Sequence, residues 1–391
     1  MSFFKDLSLS SINAGFLVVL ISYLGPLVIF FQVGAVGHVS SDMLSSWIWA
    51  ISIGSGVSGI YLSWKYKSPI ITSWSAPGSA LLITLISDTS MSLMVGAYLS
   101  AALIIFAIGM TGSFDWLIKH IPKGLAAGMM AGILFQFNLG SFKALQTMPT
   151  LAISMIFSYL VAKKYVPRYC IVLTLFVGLL TIWFSDLYQL STIALNLSLP
   201  IFISPDWNVQ STLSLALPLV LVSLSGQYLP GMAILKVSGY NTPAKPIFLA
   251  TSISSFFVAF FGGITIVTAA ITAAICTSKD AHPNPDKRYV AGIASGVFFL
   301  LAGFFSATIV SVFSGFPKEF VAILAGLALL GAFLSNVSLM VEDHLHREAS
   351  FITFLVTASG VNLLGIGSTF WGMLAGAVAY FILKPRVSHD R

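Results

Sequence analysis

Apolar positions along this chain come in long blocks, without the every-second-residue alternation that marks a transmembrane β-strand. Runs such as Ala14 to Gln32 and Ile153 to Val161 are nearly continuous, and short polar segments separate them. A helix needs about 20 apolar residues to cross a bilayer, so the pattern predicts about fourteen helical segments. They start near Asn13, Leu44, Ile70, Ser92, Pro122, Thr147, Arg168, Ser211, Pro246, Ile264, Tyr289, Lys318, Ser350 and Ser368. The first run is too long for a signal-peptide core and lacks a small-residue cleavage site after it, so it reads as a retained span. Helices satisfy their own backbone in lipid, which makes the predicted fold an all-α polytopic membrane protein.

Seven segments precede the polar stretch from Ser185 to Ser211 and seven follow it. A repeat with an odd number of spans is necessarily inverted relative to its partner, which gives halves 1–190 and 191–391. Faint echoes fit that division. Leu20-Ile21-Ser22-Tyr23-Leu24-Gly25 in segment 1 matches Leu221-Val222-Ser223-Leu224-Ser225-Gly226 in segment 8, and Ile121-Pro122-Lys123-Gly124 matches Phe316-Pro317-Lys318-Glu319.

Segments 3 and 10 break the helical pattern. Ile70 to Ser75 reads as extended before Pro77-Gly78, and Pro suits a first helical turn. Gly262-Gly263 precedes the β-branched run Ile264 to Thr268, followed by the helix-friendly Ala269 to Cys276. Interrupted segments at corresponding positions of two halves point to a binding site at the midplane. A Pro or Gly kink without any ligand is the alternative.

A helix that starts inside the membrane directs unpaired N–H groups toward the break and can hold an anion there. Trp74, Ser75, Gly78 and Ser79 surround the first break; Thr268 and Thr272 surround the second. An aromatic face with hydroxyl and N–H donors suits an aromatic carboxylate. Gln227 and Tyr228 lie within segment 8 and need partners, from a ligand or from a neighbouring helix that they merely fasten. Tyr23 and Gln32 in segment 1 carry the same ambiguity, with Gln32 near the segment's end and so read as interfacial, and Gln136 and Asn138 are weaker candidates. Gly124, Gly128 and Gly132 form a ladder suited to close helix contact.

Composition agrees with a bilayer setting, at 57% hydrophobic and 8% charged residues. The net charge of +6 reflects loop lysines and arginines, not a nucleic-acid surface. With both termini cytoplasmic, only Lys143 and Lys318 of the 19 Lys and Arg fall on the outer side, an asymmetry that orients membrane proteins. All 13 acids fall in or near loops, so no membrane-centre carboxylate offers a proton relay. Asp280 and His282, after segment 10, are weak proton-coupling candidates, and a solvated loop is their plainer role. Cys170 and Cys276 lie in apolar runs without Cys or His partners, so no metal or cofactor site is expected. No cluster of nucleophiles or paired acids supports an enzyme.

Trp74 to Ala80, Pro230-Gly231 with Gly239-Tyr240, Ala269 to Cys276 followed by Asp280-Ala281-His282-Pro283, and the tail Leu355 to Gly360 with Gly365 to Ser368 together resemble the benzoate transporter (BenE) family nearly end to end. The resemblance implies a benzoate:proton symporter of a bacterial inner membrane, related to nucleobase and sulfate-type carriers. It implies a core bundle of segments 1–4 and 8–11 moving against a gate bundle of segments 5–7 and 12–14. Trp74, Ser75, Pro77, Gly78, Gln227 and Thr272 are the positions carried over. Tyr228 stands where the family pattern suggests Asn, and Ala76 where Thr is frequent, so substrate choice stays open. A channel or uniporter without proton coupling is the rival, and a homodimer is also left open.

Overall fold

The computed structural model describes residues 6–87, 89–120, 122–185, 195–342, 344 and 346–383. The expected boundary between halves at 190 and 191 lies outside the described residues. So do Lys5, Lys384, Arg386 and Arg391 of the orienting basic set, and the acids Asp88, Asp343 and Asp390.

The first half runs α1 (Leu9–Leu24), α2 (Val28–Val36), α3 (Ser41–Tyr66), strand β1 (Thr72–Trp74), α4 (Ala76–Leu82), α5 (Met91–Thr111), the short α6 (Phe114–His120), α7 (Lys123–Thr147), α8 (Pro149–Tyr165) and α9 (Cys170–Phe184). The second runs α10 (Val209–Val237), α11 (Ala244–Ala259), strand β2 (Ile266–Thr268), α12 (Ala270–Thr277), α13 (Tyr289–Phe304), the short α14 (Ser306–Ser314), α15 (Lys318–Glu342), α16 (Arg347–Ala358) and α17 (Ser368–Ile382). Every expected segment start has an element beginning within four residues of it. Among the described residues, seven helices are long and apolar enough to cross a membrane, and others are shorter.

Local chemistry explains the boundaries. Ser40 and Ser90 accept hydrogen bonds from the N–H groups of Met43 and Leu93, capping α3 and α5. Gly112, at φ +69°, ends α5 in the left-handed turn that glycine adopts without strain. Segment 1 is one span, Leu9–Val36, interrupted locally because Pro26 has no N–H for the Ser22 carbonyl. Leu27 N–H reaches that carbonyl instead, at 3.0 Å.

The strands pair antiparallel, Thr72 with Thr268, Ser73 with Val267 and Trp74 with Ile266. The ribbon continues symmetrically, with Ser75 N–H donating to Thr265 O at 3.0 Å and Ala269 N–H to Ile71 O at 2.9 Å. Each strand therefore leads into a short helix, and antiparallel pairing sends α4 and α12 in opposite directions. This is the inverted relation that the interrupted segments predict.

Helices pack in two sets. α3 lies against α13 and α11, α1 against α13, and α11 against α5, enclosing the ribbon. In the other set α7 lies against α15 and α16, α16 against α17, and α8 against α9. Glycine permits the closest of these approaches. A Cβ on Gly128 of α7 would sit 2.4 Å from the Ser350 carbonyl oxygen of α16, and one on Gly326 of α15 would sit 2.4 Å from that of Phe137 on α7. At the polar end of α13, the Asp6 carboxylate accepts from the Tyr289 hydroxyl at 2.9 Å and lies 3.3 Å from Lys287 Nζ. The Tyr289 bond, then Lys287, hold Asp6 below its usual range.

Two outcomes follow from this packing. Gly128→Val forces a side chain onto rigid backbone and should lower thermal stability by about 1–3 kcal/mol, whereas Gly331→Ala, which meets open space, should leave it unchanged or slightly raised; thermal unfolding of the purified protein measures both. The Asp6 contacts stabilise the fold fully above the ordinary carboxylate range and are lost as pH falls from there through the depressed Asp6 pKa. A melting gap between parent and Asp6→Asn should therefore exist at neutral pH and close in acid.

Candidate functional site

A strand ribbon surrounded by apolar helices leaves outward backbone groups that lipid and hydrocarbon side chains cannot satisfy. Hydroxyls anchor the ribbon to its neighbours, through a side chain on one strand and through the backbone on the other. On the β1 side, Ser58 Oγ lies 2.9 Å from Thr72 Oγ1, which donates to the Ser55 carbonyl of α3 at 2.7 Å. On the β2 side, Ile266 N–H donates to Ser255 Oγ of α11 at 2.8 Å. Helices α3 and α11 occupy matching places in the two halves, but α3 holds the Thr72 side chain where α11 bonds the Ile266 backbone.

The first turns beyond the ribbon differ. Ser75 Oγ accepts from Gly78 N–H at 3.1 Å and caps α4, and Ser79 Oγ donates back to the Ser75 carbonyl at 3.0 Å. Ala269 begins α12 without any side-chain cap, so that helix start has donors which no local side chain occupies. Thr272 lies in this first turn and is buried.

Helix α10 passes alongside both starts and is wound as π-helix at Thr212–Ala216 and Leu224–Tyr228. Each wide turn lies just before a proline, Pro218 and Pro230, whose ring and missing N–H disturb regular α-helical bonding. The freed Gln227 carbonyl accepts from Thr268 Oγ1 at 3.0 Å, which ties α10 to β2. Gly226 faces Pro77 of α4 and Met130 of α7, so the two helix sets meet over the first break. Ser225, Gly226, Gln227 and Ala76 are partly accessible there, while Tyr228 and the rest of α4 are buried.

The sequence candidates thus separate by surroundings. Trp74 is 2% exposed, and its ring lies at centroid distances of 5.9 Å from Tyr23, 6.4 Å from Phe30 and 5.9 Å from Phe299. Tyr23 hydrogen-bonds Ser52 of α3 within the same cluster. Tyr228 stacks on Phe248 at 4.2 Å, lies 2.6 Å from Thr251 Oγ1, and donates to the Ile266 carbonyl at 3.3 Å. Gln227, the preceding residue of the same helix, is half-buried. Asp280 and His282 sit in the loop after α12, where half-buried His282 Nδ1 accepts from Asn284 N–H at 3.0 Å. Arg288 is buried beside them and donates to the Thr277 carbonyl at 2.7 Å and the His282 carbonyl at 2.8 Å. A cation at the C-terminal end of α12 complements its dipole and its orphan carbonyls.

A cavity flanks the far end of each short helix. One, of about 270 Å³, reaches Ile83 and Thr84 beyond α4 and is bounded by Gln32, α7 and Thr357 of α16. The other, of about 380 Å³, reaches Ala274, Thr277 and Ser278 of α12 and the end of α10. Sequence reasoning missed the roles of Met130, Ser58, Ser255 and Arg288, since nothing in their local sequence says which segment they touch. It did single out Gln32 and Gln136. Among the described residues there is no group of His, Cys, Asp or Glu that could hold a metal.

The profile of the family described as "Benzoate membrane transport protein" matches residues 5–382. A benzoate membrane transport protein of Acinetobacter baylyi is 55% identical over 98% of both chains. The inner membrane protein YdcO of Escherichia coli is 37% identical over 97% of both. Among solved structures, the transmembrane domain of the cyanobacterial bicarbonate transporter BicA shares the fold at TM-score 0.60 and 14% identity, covering 96% of this chain and 98% of that one. SLC26A9 shares it at TM-score 0.64 and 14% identity, covering 98% of this chain and 67% of that one. Membrane-crossing helices, an inverted repeat meeting at paired strands and full-length relatedness at these identities place the chain in the benzoate membrane transport protein family, among membrane transporters and not enzymes.

Proposed function

We propose that the chain is a secondary transporter of a small aromatic carboxylate, benzoate or a near relative, working by proton symport and alternating access in a bacterial inner membrane. The observation that carries this reading is the pair of short helices starting from one ribbon, with α12 uncapped and a cavity beyond the end of each. Helix starts at membrane depth supply N–H donors and positive dipole ends to an anion without a formal charge. The name of the Acinetobacter relative supports benzoate as cargo, and that of the Escherichia coli relative supports the inner membrane.

In this reading the carboxylate lies beside the Ala269 end of α12 and the Gly78 end of α4. Gln227 and Thr272 supply side-chain hydrogen bonds, and Gly226 allows close approach of the ring. Trp74, Tyr23, Tyr228, Ser75, Ser79 and Thr268 keep the ribbon and its helix starts in place. The segments around the ribbon form the core, and α7, α8, α9, α15, α16 and α17 form the gate. Rocking of one against the other, with Met130 at the contact over Pro77, would open the two cavities alternately. Fourteen crossings in halves 1–190 and 191–391, with cytoplasmic termini, put the cavity beside Thr84 outside and the one beside Thr277 inside.

Uptake of labelled benzoate into liposomes containing the purified protein tests the whole reading. Saturable uptake stimulated by an inward proton gradient is expected; saturable uptake indifferent to the gradient would replace symport with uniport, and folded protein without benzoate uptake would remove the substrate. Gln227→Ala should raise the apparent KM about tenfold, equivalent to ~1.4 kcal/mol, with thermal unfolding unchanged. Tyr228→Phe should do the opposite, losing about 1 kcal/mol of stability with KM near the parent value. Paired transport and melting measurements read both.

A further inference from the structure

From the cavity beyond α4 we infer a second, outer station that receives the substrate as the protonated, neutral acid. This rests on the aromatic-carboxylate reading and on the orientation proposed above. The cavity of about 270 Å³ has Ile133, Phe137 and Thr357 as its buried floor and Thr84 and Gln136 at its exposed mouth. At roughly 30 Å³ per water it holds about nine water volumes, enough for an acid of nine heavy atoms.

Its wall is apolar apart from amides and hydroxyls, and no charged residue lines it among the described residues. Gln32 Oε1 is buried there without a hydrogen-bond partner, and so is Thr357 Oγ1. Gln136 is not equivalent, because its Nε2 donates to the Ala358 carbonyl at 2.7 Å. The Gln32 amide reaches from α2 toward α7, where its Nε2 lies 3.7 Å from the site of a Cβ on Gly140. It therefore spans the seam between the two helix sets.

A primary amide offers one face with an N–H donor beside a C=O acceptor. A carboxylic acid presents the reverse pair on one face, so its carbonyl accepts from Gln32 Nε2 while its O–H donates to Gln32 Oε1. A carboxylate has no proton for Oε1 and would bring a bare charge into an apolar cavity, which desolvation opposes. The station thus selects the form that already carries the proton.

The test uses Thr84→Cys as a reporter at the mouth, since native Cys170 and Cys276 are buried. Proteoliposomes are treated with a membrane-impermeant maleimide at a series of pH values, with benzoate or benzamide present. Rates are divided by the rate without ligand at the same pH. The half-protecting total benzoate concentration should rise about tenfold per pH unit above the acid's pKa, while benzamide, neutral throughout, should protect equally at every pH. Adding Gln32→Leu should weaken protection by both at least tenfold; Gln32→Asn, which retains an amide, should weaken it less and keeps the test valid if the leucine variant fails to fold. A half-protecting benzoate concentration that does not change with pH, or absence of protection by either compound, would overturn the station. Benzoate uptake measured in the same vesicles separates the two readings: uptake without protection removes the station alone, and loss of uptake removes the transport reading.

Discussion

The structure depends on satisfying the backbone of two three-residue strands inside a membrane. A helix hydrogen-bonds itself, but a two-stranded ribbon pairs only along its inner edge and leaves its outer groups to be met from elsewhere. At Ile266 the Ser255 hydroxyl of α11 and the Tyr228 hydroxyl meet them, while α3 holds β1 through the Thr72 side chain. Those hydroxyls fix where the ribbon lies, and the ribbon fixes where both short helices begin. Loss of any one would leave a buried polar group unpaired, which costs more than the hydrogen bond itself contributes.

The same logic explains why α10 is irregular. Pro218 and Pro230 interrupt a long helix, and the wide turns before them release carbonyls that a regular helix would occupy. One is taken by Thr268, so the disturbance in α10 becomes the link that holds β2. Neighbouring positions of that turn then face opposite ways. Tyr228 enters the packed interior against Phe248, while Gly226 faces the seam with α7. Local strain and the seam between the helix sets coincide at one place.

Particular residues show how far the sequence reaches. Pro77 after an extended run, and Gly262-Gly263 before a β-branched run, locate both ribbon strands because Pro and branched side chains limit backbone choices locally. Gly128 was legible as a contact surface for a similar reason, as a small residue in a helix that must pack. Trp74 and Tyr228 were legible only as aromatic residues near a break. Whether such a ring faces a ligand or a neighbouring helix depends on a χ1 choice and on partners 20 or more residues away, such as Phe299 and Phe248. The halves of one hydrogen-bonded unit, Ser58 with Thr72 and Ser255 with Ile266, are ordinary residues in their own segments.

The sequence by itself determined that the chain lies in a bilayer, that its segments number two similar sets, and that segments 3 and 10 abandon the helix. Those properties follow from apolar run length, proline and glycine, all of which act over a few neighbouring residues. Only the tertiary structure decided which side chains satisfy the ribbon, which candidate residues are enclosed, and where α7 closes over the break at Pro77. These outcomes are contacts between distant segments, set by the requirement that every buried polar group find a partner at the one depth where the two halves cross.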